Sequence, residues 1–122
     1  MSGTTSGVAF SASGEDVTMQ VFRGKTLSFE IIWGGDSPVD LTGASAVLQA
    51  RDREGALLLD LSTGNGGIAI DGPAGRLVFS APPSDTASVS SPGVYEVELT
   101  TAAGAVHRVI SGLLVPVEEV VR

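Results

Sequence analysis

The sequence predicts an all-β domain, a sandwich or barrel of about eight short strands, and two observations carry that expectation. Apolar and polar residues alternate with a period of two along several short runs, as a chain with one buried face requires when it is extended. Those runs are punctuated by turn residues, 16 Gly and 6 Pro in 122 residues, which supply the positive or fixed φ that tight connections need.

Residues 1–16 are small and polar, and the only sizeable apolar side chains after Met1 are Val8 and Phe10. They read as a flexible N-terminal arm, with Val8 and Phe10 as anchors on a neighbouring molecule. The sandwich is expected over residues 17–117. Val17, Met19 and Val21 alternate into a first strand, closed by Arg23-Gly24. In the second, Lys25 to Trp33, Leu27, Phe29, Ile31 and Trp33 fall on one side and Thr26, Ser28 and Glu30 on the other. Gly34-Gly35-Asp36-Ser37-Pro38 is a strong turn signal.

A third strand covers Ala44 to Asp52, the chain turns at Arg53-Glu54-Gly55, and the return run sets Leu57, Leu59 and Leu61 against Leu58 and Asp60. These two runs form a hairpin. Turns at residues 64–67 and 71–73 bracket a short strand with Ile68 and Ile70, and Leu77 and Phe79 mark another. Pro82-Pro83-Ser84-Asp85-Thr86 cannot continue a ladder, because proline lacks the donor, so a loop or a single helical turn is expected. From Val94 to Thr101, Tyr95, Val97 and Leu99 oppose Glu96 and Glu98. After a turn at Ala103-Gly104 the chain returns through Val106 to Val117, with Gly112 marking a bulge. Residues 118–122 are left as a C-terminal tail.

The polar crossover from Asp85 to the only Tyr, Tyr95, at the start of a strand resembles a tyrosine corner, in which the hydroxyl bonds backbone a few residues upstream. It tilts the expectation from barrel to an immunoglobulin-like antiparallel β-sandwich with Greek-key character.

Composition narrows the function classes. Apolar residues make up 43% and charged residues 17%, enough apolar content to fold one domain. The net charge of −7, from 14 acids scattered along the chain against 7 bases, makes free nucleic acid an unsuitable partner. With no Cys there is no disulfide framework, thiolate metal site or Cys nucleophile. No apolar run reaches the roughly 20 residues of a membrane span, and the N-terminus has neither the basic start nor the apolar stretch of a signal peptide.

The motifs that invite chemistry fail on their spacing. Gly24-Lys25-Thr26 lacks the earlier Gly of a phosphate loop, since position 19 is Met, and a strand follows where a helix should. Gly64-Asn65-Gly66-Gly67 fails as a dinucleotide loop for the same reason. The lone His107 has no Cys or second His with which to share zinc. Neither Asp36 to Asp40 nor Asp52 to Glu54 extends far enough for a calcium loop. Glu96 and Glu98 read as the solvated face of a strand, and no Gly-x-Ser-x-Gly elbow supports a hydrolase. No catalytic, cofactor or metal residue is assigned.

Several ordered features resemble the N-terminal immunoglobulin-like domain of phage baseplate upper proteins and related small tail proteins. They are Arg23-Gly24-Lys25-Thr26 with its aromatic strand, Pro38-Val39-Asp40-Leu41-Thr42-Gly43, the Ala46 to Leu61 hairpin, Gly67-Ile68-Ala69-Ile70, and Pro92-Gly93-Val94-Tyr95-Glu96-Val97-Glu98-Leu99. The likeness runs from about residue 17 to 117. It implies a non-enzymatic virion structural protein, made in the host cytoplasm, that docks in multiple copies onto other phage structural proteins on a symmetric scaffold. In baseplate proteins of this kind a helical, receptor-facing portion follows; ending at Arg122, this chain is expected to be the docking domain alone, or a relative used elsewhere on the particle. A capsid decoration protein is the alternative within this class. A carbohydrate-binding module is an alternative outside it, and would need exposed aromatic side chains.

Overall fold

The strand ending at the only Trp sits at the centre of the first of two sheets. In the computed structural model, which describes residues 11–12, 15–34 and 39–118, ten strands and one short helix follow in order. They are β1 (Ser11–Ala12), β2 (Glu15–Asp16), β3 (Met19–Phe22), β4 (Leu27–Trp33), β5 (Ser45–Arg51), β6 (Leu57–Ser62), β7 (Ile68–Asp71), β8 (Arg76–Ala81), α1 (Pro83–Ala87), β9 (Gly93–Thr100) and β10 (Val106–Val117). The eight expected strands are all present. The two added ones, β1 and β2, lie within the stretch that the sequence reading assigns to the arm; its anchors Val8 and Phe10 lie outside the described residues.

The first sheet has the order β1-β4-β8-β7. The second runs β2-β10-β9-β5-β6, with β3 also pairing β10. The chain changes sheets after β1, β3, β4, β6 and β8, so each sheet joins antiparallel hairpins, β5–β6 and β9–β10 in one and β7–β8 in the other, through the long-range pairs β5–β9 and β4–β8. This order is that of an immunoglobulin-like sandwich, one sheet of A-B-E-D type facing one of G-F-C type with an added edge strand. The N-terminal strands β2 and β3 run parallel to β10.

One core fills the space between the sheets, because each strand turns its apolar set inward. Phe29 and Phe79, directly paired across β4 and β8, stack at 4.4 Å between centroids and 3° between planes. Leu48, Val97, Leu99 and Ile110 meet them from the second sheet. Pro82 and Pro83 do end the β8 ladder in a helical turn, α1, whose fully buried Thr86 faces the β3–β4 turn. The Thr86 hydroxyl donates to the Lys25 carbonyl at 2.7 Å and accepts from the Gly24 amide at 3.1 Å. The glycine-lysine-threonine sequence is therefore a turn, closed by the Lys25 amide on Phe22 O and clamped by α1.

Two other motifs are structural turns. Thr42 donates its hydroxyl and its amide to Asp40 Oδ1, holding that carboxyl below the usual carboxylate range. Asp52 Oδ1 accepts the amides of Glu54 and Ala56 and closes the β5–β6 hairpin.

Three local expectations are corrected. In the β5–β6 ladder the register shifts between Ala50 and Arg51 of β5, so on β6 Leu58 turns inward beside Leu59 and Leu57 is left exposed. In β10 the irregularity lies between Arg108 and Ile110, not at Gly112, and it buries both Val109 and Ile110. The tyrosine corner is absent: the Tyr95 hydroxyl donates to the carbonyl of Val17, 78 positions upstream in sequence, at 2.6 Å.

That bond explains Gly112. Gly112 is the cross-strand neighbour of Tyr95, and a Cβ there would lie 2.1 Å from the Val17 carbonyl oxygen. The carbonyl occupies the space a side chain would take, where the Tyr95 hydroxyl reaches it. The Val17 amide donates to Ser111 O at 2.7 Å, so Val17 is latched to β10 and β9 at the break between β2 and β3. Burial, and secondarily the charge of Asp16, push the Tyr95 hydroxyl pKa up.

The edge strand β6 is blocked by a side chain. Asn65 Nδ2 donates to Asp60 O and Asn65 Oδ1 accepts the Ser62 amide, both at 2.9 Å. A carboxamide carries the donor and acceptor of a peptide group, so Asn65 takes the two edge positions that an added strand would use.

Candidate functional site

The outer face of the second sheet is the most distinctive surface among the described residues. Its strands alternate, so the residues opposite the core stand in rows across β6, β5, β9 and β10. Register sets Leu57, Arg51, Val94 and Leu113 in one row. The next holds Asp60, Gln49, Glu96 and Ser111, and the third Ser62, Val47, Glu98 and Arg108. Ser45, Thr100 and Val106 form the last.

The first row is apolar apart from Arg51, the two middle rows are polar apart from Val47, and Val106 is the one apolar residue of the last. Five large apolar residues are exposed among those described: Val94 at 59%, Val106 at 58%, Leu113 at 56%, Leu57 at 48% and Val39 at 46%. All but Val39 stand on this face. Single exposed apolar residues are ordinary, but several gathered on one face mark a contact surface. A shallow, open depression of about 600 Å³ runs over β5, β9 and β10, bounded by Asp16 and Leu113 on one side and by Val47 and Arg51 on the other.

The charges here are arranged simply. Arg51 bonds within its own hairpin, to Gly55 O at 3.0 Å and Gln49 Oε1 at 3.2 Å. Arg108 lies 3.8 Å from Glu96, an exposed pair of small energetic worth. Glu98, one row further on, has no ion pair among the described residues.

The chemistry-bearing residues weighed in the sequence do not converge. Glu96 and Glu98 are outward neighbours on β9, as expected of a solvated strand face. His107 lies against the only Trp, with ring centroids 5.6 Å apart. Among the described residues no group of three His, Asp or Glu side chains is placed to hold a metal ion, and no helix is long and apolar enough to cross a membrane. Of the described aromatics, Phe29, Phe79 and Tyr95 are buried, and Phe22 and Trp33 are half-buried, so none forms the exposed platform that stacking on a sugar ring requires. Sequence reasoning overlooked the apolar rows. Their signal was an apolar residue at an outward position, Val94 and Leu113 above all, but cross-strand register was needed to bring them together.

No protein-family model and no curated protein matches this chain. Among solved structures it is similar to Drosophila OTK, extracellular domains 3–5, at 20% identity and a TM-score of 0.40, over 95% of this chain and 38% of that one. It is also similar to the N-terminal four Ig domains of Dscam1 isoform 4.4, at 19% identity and a TM-score of 0.33, over 91% of this chain and 27% of that one.

Proposed function

We propose that this chain is a non-enzymatic structural protein of a phage particle, a docking module of the tail or baseplate that assembles in several copies on a symmetric scaffold. The observation that carries the docking part is the outer face of the second sheet, which gathers four of the five large exposed apolar residues described. Such a face loses free energy in water and regains it on being covered. The resemblance of residues 17–117 to the docking domain of baseplate upper proteins supports the location. Val8 and Phe10 remain the arm anchors of this reading, and no cofactor or metal takes part in it.

Gold-labelled antibody on purified particles from the source, imaged by electron microscopy, tests the location. Gold at the tail or its tip is the expected result. Gold over the head would replace this reading with capsid decoration, and unlabelled particles with a demonstrably accessible epitope would sink both. Deleting residues 1–10, which spares β1 and β2, is expected to leave a folded domain that no longer joins particles. Unaltered incorporation would remove Val8 and Phe10 from the docking contacts.

A further inference from the structure

We infer that the outer face of the second sheet is covered by the same face of a second copy, about a two-fold axis running along the strands between β9 and β10. The inference rests on the docking reading and names the occupant of that face.

Three observations point to a second copy. The first is charge. The chain carries −7, so two copies repel across most of their surfaces. On the strands this axis overlaps, β5, β9, β10 and the β2–β3 edge, Arg51 and Arg108 stand against Asp16, Glu96 and Glu98, a net of −1, which leaves five bases against eleven acids elsewhere in the chain. This is a face on which two acidic copies approach with little net repulsion.

The second observation is self-complementarity. An isologous contact must pair residue i with j and j with i. Rotation about the stated axis lays β9 of one copy over β10 of the other at unchanged height, so every registered pair in the β9–β10 ladder becomes a contact between copies. Val94 then meets the partner's Leu113, Glu96 meets the partner's Ser111, and Glu98 meets the partner's Arg108. Apolar falls on apolar at one end, and Glu98, which has no ion pair among the described residues, meets a base. An axis through β9 itself would set Glu98 on Glu98, and the charges exclude it.

The third is size. The axis overlaps four strand positions about 4.8 Å apart, β5, β9, β10 and the β2–β3 edge, and four rows of residues about 6.7 Å apart, a face of roughly 19 Å by 27 Å in projection, with Leu57 of β6 outside it. That is below the accessible area of about 800 Å² per partner found in stable complexes. The dimer is therefore weak in solution, and copies held close together on a scaffold fill it by effective concentration.

Sedimentation velocity on the full chain, from about 1 μM to about 1 mM, tests this, since a weak dimer dissociates within that range. A concentration-dependent shift from monomer to dimer is expected. Leu113→Glu and Glu98→Lys should each weaken it about tenfold or more, the second by setting like charges opposite each other. The double variant Glu98→Lys with Arg108→Glu restores the opposed charges and should recover most of the association, while Val39→Glu, away from the face, should change nothing. Circular dichroism confirms that each variant is folded. A wild-type chain that stays monomeric at the highest concentration would overturn the inference, as would a dimer indifferent to Leu113→Glu and Glu98→Lys. Tail-located gold with a monomeric chain would sink the two-fold contact alone, whereas unlabelled particles would sink the virion reading and leave the sedimentation result standing.

Discussion

On the first sheet the outward positions hold Ser28, Ser80 and Ala69, with Ile32 and Val78 half-buried. The one cation there, Arg76, lies between Glu30 at 3.6 Å and Asp71 at 3.4 Å. On the second sheet the outward positions hold Val94, Leu113 and Val106, well exposed, and Glu98, which has no ion pair among the described residues. Both sheets share one core, and the alternation of the second is interrupted only in β6 and β10. A face of small side chains with its charges internally matched gives little to a partner and loses little to water. A face with several large exposed apolar side chains beside a polar centre does the opposite. Period-two alternation thus points residues outward, and their size and pairing distinguish the face proposed above as the docking surface from the one that is not.

The comparison breaks most completely if the shared core fails. Phe79→Ala removes one member of the Phe29–Phe79 stack and should cost about 3–5 kcal/mol, read by chemical denaturation, with protection lost on both sheets together. Loss confined to the first sheet would mean that the sheets do not fold as one unit.

Gly112→Ala separates the faces. The added methyl collides with the Val17 carbonyl, and the expected cost is about 1–3 kcal/mol, typical of overpacking. Hydrogen exchange should rise in β2, β3 and β10 while the β4 and β8 amides stay protected. Because Asp16 borders the depression on the second sheet, this variant should also disturb that face and spare the other.

Much of the architecture was legible in the sequence, because local chemistry dictates it. Pro82-Pro83 had to end a ladder, Leu27 to Trp33 had to be a half-buried strand, and the Asp52 to Ala56 turn had to close a hairpin. The errors fall where partners far apart in sequence decide. Leu57 is exposed because the β5–β6 ladder slips by one residue opposite Arg51, which no single strand reveals. Gly112 read as a bulge because glycine in a strand has two causes, and the second, close approach of a distant carbonyl, appears only when Val17 is in place. Tyr95 looked like a local corner and instead ties the N-terminal segment down. The exposed apolar cluster was hidden for the same reason, since Leu57, Val94 and Leu113 become one row only through register.

Tyr95→Phe is the gentler version of the same test. It removes the hydroxyl donated to Val17 O and should cost about 1 kcal/mol. It also carries a pH signature. The folded pKa of Tyr95 is raised, by burial first and the Asp16 charge second, so the neutral phenol is the form that folding favours. Its contribution is fully present below the unfolded value of about 10 and declines as pH rises above it. Wild type should lose stability at alkaline pH more steeply than Tyr95→Phe, and equal slopes in the two proteins would remove the latch from the account.

Asn65→Ala sharpens the comparison at the edge of the second sheet. Asp60 O and the Ser62 amide then face solvent, where water satisfies them, so the loss of stability should be small, about 0.5–1.5 kcal/mol. The larger consequence is association, because an unblocked edge is a template for another strand. Concentration-dependent light scattering should rise in the variant, with a form distinct from the face-to-face contact, since Leu113→Glu would not suppress it.

The smallest effects contrast the two faces directly. Glu30→Gln on the first sheet removes an exposed partner of Arg76, and Leu113→Ser on the second removes an exposed apolar side chain; each should change monomer stability by less than about 0.5 kcal/mol. Their effects on association should differ. Glu30→Gln leaves the sedimentation profile as it was, because Asp71 still accompanies Arg76 and this face lies outside the two-fold contact inferred above. Leu113→Ser takes an apolar contact from each side of the two-fold, so a change negligible in the monomer is counted twice in the assembly. Equal sedimentation of the two variants would mean that the apolar rows of the second sheet are no more a contact surface than the serines of the first.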